Sequence, residues 1–231
     1  MRVGADQAWR VGQRRDHVGH AAPAWADTQK KCLQASEQAR ADLAEARRLW
    51  HGLQAKLDAR RLIFVDETWT KTNMVRPCGR APRGQRVIGR VPRGHWHVNA
   101  FIAGLRHDRV APPLLLEGAM DGPTFLAWVE QFLAPTVYAG DVVVLDNLAS
   151  HKATGVREAI EARGASVQFL PAYPPDLNPI EQLFAKLKTI PRGLAPRSLT
   201  ALIQAVNHAL DHVTAAECAN YLRHAGYRQS A

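Results

Sequence analysis

Two short apolar runs, each followed at once by an acidic residue, place the strongest constraint on how this chain can fold. Residues 62–65 read Leu-Ile-Phe-Val before Asp66, and residues 142–145 read Val-Val-Val-Leu before Asp146. Runs of this kind are typical of strands that are buried on both faces of a sheet. A carboxylate at the tip of such a strand is costly unless it is paired or binds a metal ion. We therefore expect a buried sheet whose strands end on acidic residues.

The order of the other patterns predicts a mixed α/β fold. Residues 1–27 show no period and stay unassigned, with disorder as one interpretation, and a helical repeat over residues 36–57 precedes the first strand. The later elements are predicted as strands at 61–66, 96–105 and 110–117, a helix with Pro123 in its first turn, a strand at 141–146, a helix at 152–163, a strand at 166–170, and helices beginning at Pro179, Ser198 and Thr214. This order predicts a mixed sheet with helices on its faces. We divide the chain into 1–27, a helical extension at 28–60 and an α/β domain at 61–231.

Helical periodicity predicts which side chains face the core. The inward residues are expected to be Phe125, Trp128/Val129 and Phe132/Leu133 in one helix, Ile180, Leu183/Phe184 and Leu187 in the next, and Leu199, Leu202/Ile203, Val206 and Leu210 in another. Lys186 and Lys188 are expected to face solvent. Ser198 and the capping box at residues 214–217 mark the starts of the last two helices.

The charge balance indicates a polyanionic partner. Lys and Arg number 30 against 21 Asp and Glu, which gives a net charge of +9. Nucleic acid is the simplest such partner, although a generally basic surface would give the same balance. Basic residues recur without an intervening acid, among Gly and Pro that prevent a helix, at Lys71, Arg76, Arg80, Arg83, Arg86, Arg90 and Arg93. We predict that this segment contacts phosphates; the alternative is a solvated loop.

Several function classes find no support in the sequence. Cys32, Cys78 and Cys218 are far apart and form no Cys-x-x-Cys pair, so neither a zinc site nor a disulfide framework is expected. The N-terminus lacks the apolar stretch of a signal peptide, and no apolar run approaches the roughly 20 residues of a membrane span. We predict a cytoplasmic protein without membrane contact.

A third acid, Glu181, lies at the start of a predicted helix. Three carboxylates in one cleft repel each other and require a cation, and oxygen ligands select Mg²⁺ or Mn²⁺. Two such ions about 3.5–4 Å apart can activate a water or a 3′-hydroxyl for in-line displacement at a phosphodiester. The combination of Asp66, Asp146 and Glu181 therefore predicts metal-dependent phosphodiester chemistry.

Each of these acids also has a simpler interpretation. Asp66 and Asp146 could be ordinary turn acids, and Glu181 could complete a helix cap with Asn178. Glu67 competes with Asp66, although alternation along the strand points the two side chains in opposite directions. Asp176 competes in the same way with Glu181, from a loop bounded by prolines.

Three motifs together resemble a known family. Residues 169–181, Phe-Leu-Pro-Ala-Tyr-Pro-Pro-Asp-Leu-Asn-Pro-Ile-Glu, closely resemble the segment around the third acid of mariner-related bacterial insertion-sequence transposases. Residues 146–151, Asp-Asn-Leu-Ala-Ser-His, resemble their second-acid motif, and residues 64–68, Phe-Val-Asp-Glu-Thr, resemble the first. The thirty-four residues between Asp146 and Glu181 match the spacing of that branch. The resemblance runs from about residue 30 to the end of the chain, including residues 217–221.

This resemblance implies an RNase H-like fold with an Asp-Asp-Glu metal triad. It carries over Asp66, Asp146 and Glu181 as ligands of Mg²⁺ or Mn²⁺, with two ions expected. It also implies cleavage at element ends, joining of the 3′-hydroxyl to target DNA, and a homo-oligomer on double-stranded DNA. Asn147, His151 and Glu67 are expected near the site; His151 could orient water or contact phosphate, or simply begin a helix.

The sequence departs from the family in one respect. Such transposases usually carry helix-turn-helix modules ahead of the catalytic domain, whereas only about sixty residues precede Asp66 here, and residues 1–27 show no such pattern. We therefore expect a catalytic domain without its DNA reader, as a truncated copy or one product of a split gene. A catalytically silent remnant that binds DNA or a full-length transposase is one alternative. Another RNase H-like nuclease is a second, which the context of Glu181 disfavours.

Overall fold

The computed structural model describes residues 40–229, except residues 77, 83, 90–94 and 173–174. Its strands are β1 (Leu62–Lys71), β2 (Val98–Leu105), β3 (Val110–Glu117), β4 (Val142–Leu145) and β5 (Ser166–Phe169). Its helices are α1 (Ala41–Gln54), α2 (Gly122–Trp128), α3 (Val156–Glu161), α4 (Ile180–Leu194), α5 (Leu199–Asp211) and α6 (Ala215–His224). Within the described ranges, no helix has both the length and the apolar character that a bilayer crossing requires.

The strands form one mixed sheet in the order β3-β2-β1-β4-β5. β1 pairs antiparallel with β2 and parallel with β4. The central strand β1 therefore joins an antiparallel part of the sheet, β1 to β3, to a parallel part, β1, β4 and β5. Successive side chains of β1 enter two different cores, because side chains alternate along a strand. Phe64 belongs to a core with residues of α1, α4, α5 and α6, which we call the α4 face. Ile63 and Val65 belong to a core with residues of α2 and α3, which we call the α2 face. The predicted mixed sheet covered by helices is confirmed.

β1 is longer than predicted, and this changes the setting of the first acid. The sequence placed the strand at residues 61–66, but β1 continues to Lys71, so Asp66 lies in the middle of the strand. The extension is stabilised by pairing with β2 as far as Lys71 opposite Val98, and Thr68 and Thr70 are buried within it. β2 begins at Val98 rather than at residue 96.

Two helical predictions on the α2 face need correction. A single helix at 152–163 is wrong: a short turn covers Ser150–Lys152, and α3 starts only at Val156. Gly155, with a φ of 95°, separates them because a left-handed residue cannot continue an α-helix. Phe132 is 43% exposed rather than buried. It lies in a π-helical turn, Val129–Leu133, whose wider spacing changes the phase of the buried stripe.

The C-terminal helices follow the sequence pattern more closely. The predicted stripe of α4 is buried at Ile180, Leu183, Phe184 and Leu187, and Phe184 meets Phe101 of β2 edge to face at 6.0 Å. Ser198 caps α5 by accepting a hydrogen bond from Ala201 N, and the capping box of α6 is formed. Ile203, predicted as core, is 40% exposed. α4 therefore lies with its apolar side on the sheet and its first turn near the middle of β1.

Candidate active site

Asp66 and Asp146 lie side by side where the parallel pair of β1 and β4 ends. Val65 pairs with Leu145, and the two acids are the next residues on each strand. Neighbouring strands lie about 4.8 Å apart. Phe64 and Val144, two residues earlier, both belong to the core of the α4 face, and in the antiparallel direction Asp66 is opposite Ala103 of the same core. Asp66 therefore points toward α4.

The Asp66 carboxyl is buried and held by two hydrogen bonds. Asp66 as a whole residue is 7% exposed. Oδ1 accepts from Glu67 N at 2.7 Å, and Oδ2 accepts from Asn178 Nδ2 at 2.8 Å. Burial, together with the negative charges of Asp146 and Glu181, raises the pKa of Asp66 to about 7, although the bond from Glu67 N opposes this. Each oxygen accepts one hydrogen bond and keeps lone-pair capacity for a further partner.

Asp146 is organised by its own turn and by His151. Oδ1 accepts from Leu148 N at 3.0 Å, and His151 Nδ1 lies 2.5 Å from the same oxygen. This contact is not a hydrogen bond, and neither ring nitrogen of His151 has a hydrogen-bond partner among the described residues. His151 is fully buried, and its ring packs on Phe125 with the centroids 4.3 Å apart. His151 is thus fixed behind Asp146 and is closed to solvent.

Glu181 stands in the first turn of α4 and is exposed. Its charge acts on Asp66 and also on Lys188, two helical turns further along the same face. Lys188 is half-buried, and desolvation lowers its pKa although Glu181 and Asp66 oppose that change. The expectation that Lys188 simply faces solvent is therefore wrong. Lys186 instead binds Glu217 at 2.6 Å and the carbonyl of His212.

The helix-cap interpretation of Asn178 and Glu181 does not describe the structure. Asn178 donates from Nδ2 to Asp66, its Oδ1 accepts no hydrogen bond from the backbone of α4, and no side chain caps the start of that helix at Pro179. The competing acid Asp176 is occupied elsewhere, since both its oxygens accept from Arg47 of α1. Arg47 lowers the pKa of Asp176.

The donor chemistry fits a hard divalent cation. Asp66, Asp146 and Glu181 offer carboxylate oxygens only, which suit Mg²⁺ or Mn²⁺, and the two hydrogen bonds that the buried Asp66 accepts come from neutral groups. In that same part of the chain, no group of three His, Cys, Asp or Glu side chains is arranged to hold a metal ion. Glu181 is exposed, so its side chain has room to turn toward the other two.

The remaining predicted residues differ in how close they lie to these acids. Asn147 donates from Nδ2 to the carbonyl of Leu170, which fixes the turn after β4 to the end of β5. Glu67 is half-buried on the opposite side of β1 from Asp66, opposite Ile102 of the α2-face core. Desolvation raises the pKa of Glu67, which His151 opposes. The sequence prediction that Glu67 and Asp66 point in opposite directions agrees with this register.

The basic segment is only partly described. Lys71 is the last residue of β1 and is exposed; Arg76, Arg80 and Arg86 are exposed as well. Arg83, Arg90 and Arg93 lie outside the described residues. Arg76 reaches α4, because its guanidinium Nη2 lies 2.9 Å from the position that a Cβ on Gly193 would occupy. The start of the segment therefore runs beside the C-terminal part of α4.

Two polar residues at the site were not identified as functional from the sequence. Asn178 contacts Asp66 across 112 positions of the chain, so only the tertiary structure reveals the contact. Lys188 could have been found, because it follows Glu181 by seven residues and seven residues are two turns of one helix face.

Comparisons with known proteins place this architecture in a family. Residues 61–203 match the model of the DDE superfamily endonucleases. The fold is similar to the mariner Mos1 transposase in its paired-end complex with Mg, with a TM-score of 0.69 and 17% identity over 85% of this chain and 63% of that chain. It is also similar to the Mos1 strand transfer complex (TM-score 0.66, 16% identity, 86% and 63% of the two chains) and to the isolated Mos1 catalytic domain (0.58, 16%, 84% and 91%). No curated protein matches the chain.

These similarities differ in what they establish. At such identities the solved structures show the fold alone, and they confirm the RNase H-like sheet with flanking helices. The chain spans about 63% of the length of the transposase chains in those complexes. The family match covers more than half of the 231 residues. The protein therefore belongs to the DDE superfamily of endonucleases.

Proposed function

We propose that this chain is the catalytic domain of a DNA transposase of the mariner-related bacterial insertion-sequence branch. It would cleave phosphodiesters at the ends of its element and join the freed 3′-hydroxyl to target DNA. One observation carries the proposal: Asp66 and Asp146 follow a paired position on two parallel strands, and the charge of Glu181 acts on Asp66 from the start of α4. The family match and the fold of Mos1 support it.

Asp66, Asp146 and Glu181 are the residues that would hold the metal. When bound, two Mg²⁺ or Mn²⁺ ions lower the pKa of the attacking hydroxyl and stabilise the leaving oxygen. In cleavage, a water oxygen bonds to phosphorus as the bond to the 3′-oxygen breaks, and the 3′-oxygen leaves as a hydroxyl. In strand transfer, that 3′-hydroxyl attacks a target phosphate and the target strand's own 3′-oxygen leaves, so the number of phosphodiesters is unchanged. Asp66 would hold the metal through oxygens already oriented by Glu67 N and Asn178.

His151, Asn147 and Glu67 are proposed to support the acids rather than to touch DNA. His151 is fully buried behind Asp146, which favours orientation of that carboxylate over contact with phosphate. Asn147 secures the turn that carries Asp146 by donating to Leu170. Glu67 lies on the other side of β1, close enough for its charge to interact with His151.

The basic segment is proposed as a DNA contact. Its exposed guanidinium groups suit phosphate oxygens, and the residues concerned are Lys71, Arg76, Arg80, Arg83, Arg86, Arg90 and Arg93. The similar Mos1 structures include a paired-end complex with the left transposon end and a pre-cleavage transpososome. By analogy we propose that this chain works as a homo-oligomer on double-stranded DNA, in the cytoplasm at the nucleoid.

A non-catalytic role is the second candidate. It is favoured by the exposed position of Glu181 and by the lack, among the described residues, of three acids arranged as metal ligands. In this case the protein would bind DNA or a full-length transposase through its positive charge. DNA binding would then be salt-sensitive and independent of all three acids.

A nicking assay separates the two candidates. Supercoiled DNA that carries the element's own ends is incubated with the protein and Mn²⁺, and Asp146→Ala and Glu181→Gln are compared with wild type. Glu161→Gln is the matched control, because Glu161 is an exposed acid at the end of α3. It lies near Gly164, whose carbonyl accepts a hydrogen bond from Gly140 N just before β4 begins. Asp146 follows the opposite end of that strand.

The expected result is loss of nicking by more than about a hundredfold in both site variants, as found when catalytic groups are removed, and unchanged nicking in Glu161→Gln. DNA binding without metal should persist in all of them. Equal nicking by wild type and Asp146→Ala would refute the catalytic proposal. Binding without any nicking in wild type would favour the second candidate.

A further inference from the structure

The loop that leads into α4 is tied by buried hydrogen bonds to α1 and to the C-terminal tail, residues 225–229. Trp50 of α1 donates from Nε1 to Tyr227 Oη at 3.0 Å, and Tyr227 Oη donates to the carbonyl of Leu177 at 2.9 Å. These side chains are between 1% and 5% exposed, so water cannot substitute for either bond. The Tyr227 hydroxyl thus uses its donor and one acceptor position at once.

This connection continues to the first acid. Asn178 follows Leu177 directly, is 6% exposed, and donates from Nδ2 to Asp66 Oδ2. The amide can face the carboxylate only with its NH₂ group, because its carbonyl oxygen would oppose a negative charge. The ring of Tyr227 packs on Phe64, two residues before Asp66 on the same face of β1, with centroids 4.8 Å apart. Tyr227 therefore touches both chain segments that meet at Asp66.

A second tie holds the same loop from the outside. Arg47, one turn before Trp50 on α1, binds both oxygens of Asp176 at 3.1 and 2.5 Å. Two consecutive positions of the loop, 176 and 177, are therefore fixed by α1 and by the tail that α1 contacts. Asn178 comes next, and it is the only one of the three whose side chain reaches an acid of the site among the described residues.

We propose that Asn178 is a positioning residue for Asp66, and that Trp50 and Tyr227 act through it by fixing the loop that carries it. The inference rests on the proposed function of Asp66 as a metal ligand. Asn178 holds one oxygen of Asp66 from the side of α4, and each oxygen of that carboxyl keeps lone-pair capacity that a cation could use. Groups that hydrogen-bond a metal-binding carboxylate orient it and contribute to metal affinity. Helix α1 and the C-terminal tail would thereby help to orient Asp66 in the metal site without contacting the metal.

Mn²⁺ affinity, measured calorimetrically on the full chain without DNA, tests this proposal. Asn178→Ala is expected to weaken binding by about 10–100-fold. Tyr227→Phe removes only the hydroxyl and is expected to weaken binding by about 3–10-fold, the range of one ordinary hydrogen bond. The double variant should bind Mn²⁺ as Asn178→Ala does, because Tyr227 acts through Asn178.

Gln54→Met is the matched control. Gln54 is a buried residue of α1 that donates to the carbonyl of Ala225 at 2.7 Å, so its replacement removes a comparable bond to the C-terminal tail without touching residues 176–178. It should lower stability and leave Mn²⁺ affinity at the wild-type value. Wild-type affinity in Tyr227→Phe, or fully additive losses in the double variant, would overturn the proposal. If Asp66→Ala itself leaves Mn²⁺ binding unchanged, the proposed function fails together with this inference; if only Asp66→Ala weakens binding, this inference alone fails.

Discussion

Replacing Asp66 with asparagine is expected to stabilise the metal-free protein at neutral pH. Burial and the neighbouring acids raise the pKa of Asp66 to about 7, from an ordinary value of 3.8. The folded state therefore keeps its proton up to about pH 7, whereas the unfolded state loses it near pH 4. The free energy of unfolding must fall as the pH rises between these values, because the folded state binds the extra proton. Above about pH 7 the folded state carries the charged carboxylate, and its full destabilising effect on the free energy of unfolding is present.

The size of the effect follows from the shift. The difference between about 7 and 3.8 is about 3.2 pH units, and at about 1.36 kcal/mol per unit the cost is about 4 kcal/mol. Asparagine resembles the protonated acid and can still accept from Asn178, but it loses the bond from Glu67 N, worth about 1 kcal/mol. We expect Asp66→Asn to gain about 3 kcal/mol at pH 8 in EDTA and to gain nothing at pH 4.

Urea unfolding followed by circular dichroism at pH 4 and pH 8 measures this difference, provided that chelator is present throughout. Asp141→Asn is the control, because Asp141 is also buried but is bound by Arg106 at 2.9 Å. Its loss strands a buried guanidinium and should cost about 3–5 kcal/mol. Added Mn²⁺ should raise the stability of wild type and not of Asp66→Asn. The reasoning is refuted if Asp66→Asn is no more stable than wild type at pH 8, or if its advantage is as large at pH 4.

Two further predictions concern residues around this centre. Lys188→Gln should reduce the slope of log affinity for DNA against log salt by about one unit, as for a phosphate contact, and should leave the melting temperature unchanged. Arg163→Gln is the control, because Arg163 lies next to Gly164 at the far end of the sheet, and it should affect the slope less. Equal slopes in both variants and wild type would contradict the prediction. Iodoacetamide at pH 8 should modify Cys78, which is exposed, and leave Cys218 intact, because burial raises the pKa of Cys218 to about 11; mass spectrometry that finds Cys218 alkylated in the folded protein would contradict it.

The sequence predicted the sheet better than it predicted the extent of its central strand. The apolar runs before Asp66 and Asp146 correctly predicted two buried strands, because such runs are typical of strands covered on both faces; that β1 and β4 pair with each other is known only from the structure. The continuation of β1 to Lys71 could not be predicted from its own residues, since it depends on pairing with β2. The exposure of Phe132 likewise follows from one π-helical turn, which has no clear periodic signal.

The candidate site was predictable where chemistry depends on residue type and register. Residue type identified Asp66 and Asp146 as candidates, and the register of β1 and β4 places each of them one residue beyond the paired Val65 and Leu145. The sequence left a helix cap by Asn178 and Glu181 open as an alternative, because the position of Asn178 before α4 suits that role. Its contact with Asp66 depends on how α4 packs on the sheet, and no local pattern encodes that packing.

Asp66 and Asp141 are two buried acids of this molecule whose negative charges are compensated in different ways. Both carboxyls are buried, and a buried charge is tolerated only when it is compensated. Asp141 is compensated within the chain, because Arg106 and the backbone of Tyr138 both bind its Oδ2. Asp66 receives only neutral donors, and Asp146 and Glu181 add negative charge beside it. A fold selected for stability alone would neutralise Asp66 or pair it. An unpaired acid in this place is explained if the missing positive charge comes from a bound cation, which is what the proposed chemistry requires.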